Sequence, residues 1–175
     1  EKNFLEGSSL KQLTISIHSI VGSAIPFSLQ DGGLKDKFNI GGNFGFRLDI
    51  PKTIYFGNFK LYTSTDIFFS TLSGAVKGQA DYKLTNLFGM LNLDLGNFGF
   101  RTGLGLSPSS IGQDSEVLLS IPVDLTYKIK INKQINCLIV FHAQETLGWP
   151  GAKTSATSEI LGIGAHIGYP ITISY

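Results

Sequence analysis

Three histidines, His18, His142 and His166, are the side chains of widest chemical range in this 175-residue chain. Each falls on the polar phase of an alternating stretch, where residues two apart share a face. If those stretches are the first, seventh and eighth strands of a closed sheet, they are neighbours. Three imidazoles at one level could then hold a metal such as zinc. Barrel shear can separate them vertically, however, and neutral imidazole is ordinary polar filling, which is the favoured reading. A second group on the polar phases is charged: Arg47, Lys60, Arg101 and Lys128 against Asp49, Asp66, Asp94 and Asp124. Four of each sign suits a plug that neutralises itself, because an unpaired charge away from water is expensive. A conducting pore would want an excess of one sign.

Nucleophilic catalysis requires a base within hydrogen-bond reach of the nucleophile. Ser19, Thr63, Thr65, Thr102 and Cys137 fall on the apolar phases, where no histidine accompanies them, and Ser155, Ser158 and Glu159 have none nearby in sequence. No phosphate loop, metal-ligand motif or paired-carboxylate spacing stands out. The expectation is a protein that is not an enzyme and needs no cofactor.

The elements that must position these side chains are strands. From Leu161 to Tyr175 the odd positions read Leu, Ile, Ala, Ile, Tyr, Ile, Ile, Tyr, while the even ones are small or polar. Only a β-strand presents a period of two as two different faces. The same alternation marks seven earlier stretches, at residues 13–21, 38–50, 55–70, 83–95, 98–107, 116–131 and 135–147. Short turns are expected at Pro51-Lys52, Gly96-Asn97 and Asn132-Lys133, of which Gly-Asn is a favoured hairpin pair. Longer loops are expected at 22–37, 71–82, 108–115 and 148–158, each rich in Gly, Pro or Ser. Residues 1–12 form a polar lead-in and 13–175 a single all-β domain.

Composition narrows the class. Charged residues are 15% of the chain and the net charge is +1, while Gly (21) and Phe (13) are plentiful. That excludes the basic footprint of a nucleic-acid binder. No apolar run approaches the ~20 residues of a membrane helix. Residence in lipid would therefore require a closed barrel, because an open sheet leaves its edge unpaired there. The single Cys137 rules out a disulfide framework within the chain.

The long–short alternation of the connections and the closing run through Tyr169, Ile171, Ile173 and Tyr175 resemble the small eight-stranded outer-membrane barrels of bacteria, the OmpA/OmpX-like architecture. That resemblance implies an antiparallel up-and-down transmembrane barrel, short periplasmic turns, longer outer loops and a mature chain whose export signal has been removed. It implies that the last strand is an insertion signal read by the barrel-assembly machinery. Expected partners are outer-membrane lipid and other envelope proteins, with no nucleic acid. Phe27, Leu29, Leu34, Leu72, Val76, Ile111 and Trp149, on the expected outer loops, are candidate contact residues. The expected role is a structural or accessory envelope component with a filled lumen. The alternatives are a lipid-modifying outer-membrane enzyme and a soluble lipocalin-like carrier, the latter disfavoured by a polar face of Gly, Asn and Ser in place of dense Lys and Glu.

Overall fold

The computed structural model describes residues 12–27, 34–132, 135–147 and 158–174. Eight strands follow one another: β1 (Gln12–Phe27), β2 (Gly41–Phe56), β3 (Phe59–Leu72), β4 (Tyr82–Leu95), β5 (Phe98–Ile111), β6 (Asp114–Lys130), β7 (Asn136–Leu147) and β8 (Ser158–Ser174). Each pairs antiparallel with the next, and β1 pairs with β8 from Gln12↔Ser174 to Phe27↔Glu159, which closes the ring. The expected all-β, eight-stranded up-and-down barrel is the observed fold. Among the described residues no helix is long and apolar enough to cross a membrane.

Alternation sets the two faces. Along β2, Phe44, Phe46 and Leu48 are exposed while Asn43, Gly45 and Arg47 are buried. Along β6, Val123, Leu125 and Tyr127 point out while Pro122, Asp124 and Thr126 point in. Cross-strand partners share a face, so Arg47↔Asp66 and Arg101↔Asp124 meet inside.

Prolines stand at three of the departures from the expected boundaries. Pro51-Lys52 is not a turn. Asp49 pairs with Ser64 and Thr53 with Tyr62, so β2 holds two extra residues in a bulge and runs on to Phe56. A bulge absorbs a residue that has no N–H to give to the ladder. The turn lies at Gly57-Asn58, with Gly57 at φ 57°, as the primed hairpin types require. Likewise, no long loop spans 108–115. Pro108 points outward between inward Ser107 and Ser109, β5 continues to Ile111, and the turn is at Gly112-Gln113. Strand β1 runs through Pro26 to Phe27, and a helical turn, α1 (Leu34–Lys37), lies within the first expected loop.

Two apolar clusters fill parts of the interior. At the outer end Ala24, Phe38, Leu72, Tyr82, Leu84 and Ile160 pack together, with Leu34 and Ile111 against them. Nearer the middle are Ile20, Phe68, Phe88 and Met90. Gly105 makes room there: a Cβ on it would lie 2.4 Å from Phe88 and 2.1 Å from the Leu87 carbonyl.

Candidate functional site

The centre of the interior is Arg101, 1% exposed and fully engaged. Its Nε donates to Asn92 Oδ1 at 2.7 Å, its Nη1 to Asp124 Oδ2 at 2.8 Å, and its Nη2 to Asp66 Oδ2 and to Ser64. One guanidinium on β5 thus ties β3, β4 and β6, a use of the rigid fork that an ammonium could not copy. Asp124 extends the network, its Oδ1 lying 2.6 Å from His142 Nδ1. A second node joins β1, β2 and β3. Arg47 Nε donates to Asp49 Oδ1 at 2.6 Å and its Nη2 to the Tyr62 hydroxyl at 2.9 Å, while His18 Nε2 lies 3.1 Å from Asp49 Oδ2.

The remaining expected charges sit toward the near rim. Lys60 stands opposite Asp94 in the register and lays its ammonium over the Tyr62 ring at 4.5 Å. Lys128 is half-buried opposite Leu138.

The three histidines do not come together as a metal site. His18 is engaged with Asp49 and His142 with Asp124, while His166 is buried at the Ile20–Leu138 level. Among the described residues no group of three or more His, Cys, Asp or Glu is arranged to hold a metal. Adjacent strands were correctly inferred, but register and carboxylate partners separate the imidazoles. Gly168 accommodates one of them, since a Cβ there would lie 2.5 Å from the His18 ring.

A neutral polar layer between the charged centre and the outer apolar cluster escaped the sequence reading. Ser107 donates to Asn86 Oδ1 at 2.7 Å, Ser120 to Ser107 at 2.7 Å and Asn86 Nδ2 to Ser70 at 3.0 Å. Gln144 Nε2 reaches Asn86 Oδ1 at 2.9 Å and lies within 3.3 Å of Ser120 and Thr146. Alternation puts each on an inward phase, but only the register brings five strands' side chains to one level. An interior cavity of about 30 Å³ remains, bordered by Asn43, Asp66, Phe88, His142 and His166.

The candidate outer contacts divide. Leu72 is fully buried, and Leu34 and Ile111 pack on the same cluster, so these three belong to the core of the outer end, not to an open recognition surface. The reason is apolar area: Phe38 is buried in the same cluster, and its segment is stitched to the connection after β3 by Asn39 N→Ser73 O (2.7 Å) and Ala75 N→Lys37 O (3.0 Å). Val76 stays 70% exposed. Phe27 lies on the outward phase at the outer rim of β1. Leu29 and Trp149 lie outside the described residues. In the closing strand Tyr169 and Ile171 are exposed and the Ile173 backbone pairs with Leu13, while Tyr175 lies outside the described residues.

No family model matches the chain, and no curated protein does. Solved structures do. The N-terminal β-barrel domain of Pseudomonas aeruginosa OprF superposes with a TM-score of 0.51 at 12% identity, over 91% of this chain and 100% of that one. Neisserial surface protein A gives 0.49 at 10% identity over 89% and 96%. Ail of Yersinia pestis gives 0.46 at 15% over 90% and 99%. The chain therefore has the eight-stranded up-and-down fold of the OprF barrel domain.

Proposed function

We propose that the chain is an integral outer-membrane β-barrel, its lumen plugged by its own side chains, that serves the envelope as a structural, protein-binding component. One observation carries this reading: polarity is inverted. Arg101 and Arg47 are 1% exposed while Phe44 is 58% and Leu104 61% exposed. Soluble domains rarely expose apolar patches beyond a few hundred Å². Here Phe, Leu, Ile and Val stand exposed on all eight strands. Lipid is the solvent that this wall fits. Every strand is longer than the ~9–11 residues a transmembrane strand needs, and the chain's fold is one that outer-membrane proteins use.

Two ion-pair nodes, an amide–hydroxyl layer and an apolar outer cluster fill the interior and favour a plug over a pore. Among the described residues no histidine stands on the wall beside Ser19, Thr63, Thr65, Thr102 or Cys137, since all three lie on inward phases. Membrane fractionation and planar-bilayer recording test the reading. The protein is expected in the outer-membrane fraction and without steady conductance. Recovery in the soluble fraction, or conductance that survives purification to homogeneity, would overturn it. The barrel-assembly machinery is the proposed partner of β8 during insertion, and deleting β8 should abolish recovery of folded protein from the membrane.

A further inference from the structure

Two side chains that border the interior cavity, Asn43 on β2 and His166 on β8, are incompletely used. They are 9% and 5% exposed, and each keeps one buried polar atom without a partner. Asn43 spends its Nδ2 on the Ser23 carbonyl at 3.1 Å, so the atom left over is Oδ1, an acceptor. In His166 it is Nδ1, which donates or accepts according to the tautomer. Buried polar atoms in folded proteins are nearly all paired, so two orphans on one cavity call for a shared partner.

Glycine makes the space between them. Asn43 pairs in register with Gly22, and Gly22 with Gly164, so one level of three adjoining strands carries a single side chain. A Cβ on Gly22 would lie 2.8 Å from Gly164 Cα, and one on Gly164 would lie 2.7 Å from the Val21 carbonyl oxygen. The backbones are too close for a protein side chain to fill that level. His166 stands one inward position along from Gly164. Between Ile160 and Pro170 it is the one polar side chain on the inward phase of β8.

We propose that the cavity is a buried water site, in which water donates to Asn43 Oδ1 and bonds to His166 Nδ1 across Gly22. Size and chemistry agree. One water needs ~10–15 Å³ of such volume, so a cavity of about 30 Å³ takes one or two. The other charged atoms on the border belong to Asp66 and Asp124, acceptors already bound to Arg101, so the site wants a donor. An apolar occupant would leave both orphans unmet. Among the described residues no group of three or more His, Cys, Asp or Glu is placed to favour a metal instead. The bridge also completes a circuit. Arg101 and its partners link β3, β4, β5, β6 and β7, and the Arg47 node links β1, β2 and β3. Water joins the closing strand to both, through the one atom of His166 to which no protein group is bonded. Such bridges are enthalpically nearly as good as direct hydrogen bonds.

A crystal structure of the full chain tests the site, whichever solvent meets the wall. Density for one or two waters is expected within hydrogen-bond distance of both Asn43 Oδ1 and His166 Nδ1. A cavity without density, density that touches neither atom, or a His166 ring turned to a protein partner overturns the proposal. So does an anomalous peak at the site after a rubidium soak, which would make the occupant a monovalent cation. Imidazole ¹⁵N spectra of the folded protein in detergent give a second measure. Asn43→Leu should move the Nδ1 signal of His166, because the water loses its other anchor, and leave the His18 signals in place. An unmoved His166 signal overturns the bridge.

Discussion

Arg101 shows what one residue can hold. Replacing it by Ala leaves Asp66 and Asp124 buried without their cation, and breaking a buried pair in this way costs ~3–5 kcal/mol. Urea unfolding in detergent should show that loss, and Arg101→Lys should recover only part of it, because an ammonium cannot reach Asn92, Asp66 and Asp124 from one fixed plane. That Arg47, Arg101, Asp66 and Asp124 face inward was legible from alternation alone. Their companions Tyr62, Asn92 and Ser64 were on the right face too, but a contact between β3 and β5 depends on the stagger of the β4 between them. Nothing in the local sequence states that stagger. The three histidines failed as a set for the same reason.

The strands themselves were legible wherever a long side chain alternated with a short one, as in β2 and β8. Proline was over-read as a terminator at positions 51 and 108, where a bulge and an outward placement absorb it. Strand β8 gives the sharpest test of facing. Ile167 lies on its outward phase, paired with Ser19 and Cys137. Ile167→Arg, near the middle of the wall, should destabilise the barrel by ~2–4 kcal/mol. Thr172→Arg, exposed near the strand's end opposite Thr14, should cost much less. Equal losses in a paired unfolding measurement would mean that the two faces of β8 do not meet different solvents.

At the scale of the whole molecule, the proposed partner-binding role of the outer end can be separated from its part in stability. Leu72→Ala removes a fully buried side chain from the outer cluster and should cost ~2–5 kcal/mol, leaving the proteins that co-purify unchanged once folded material is selected. Val76→Ser and Phe27→Ser should behave oppositely, with little change in unfolding and a loss of captured partners. A pull-down that ranks Leu72 above Phe27 and Val76 would return recognition to the barrel mouth.

The seam between β1 and β8 is unlike the other seven. Those seven join neighbours in sequence, whereas this one brings Thr14 Oγ1 to 3.1 Å from Thr172 Oγ1, 158 residues away. β8 is the last of the eight strands along the chain, so a sheet assembled in chain order is a ribbon with one unpaired margin on β1 and another on its newest strand until β8 docks. Such margins invite pairing with other chains. Closing so long a loop also carries the largest entropic penalty and belongs at the end of folding. The molecule's most hazardous interval is thus the time between the appearance of its first strand and the docking of its last, and anything that holds the ribbon during that wait acts on β1 as much as on β8.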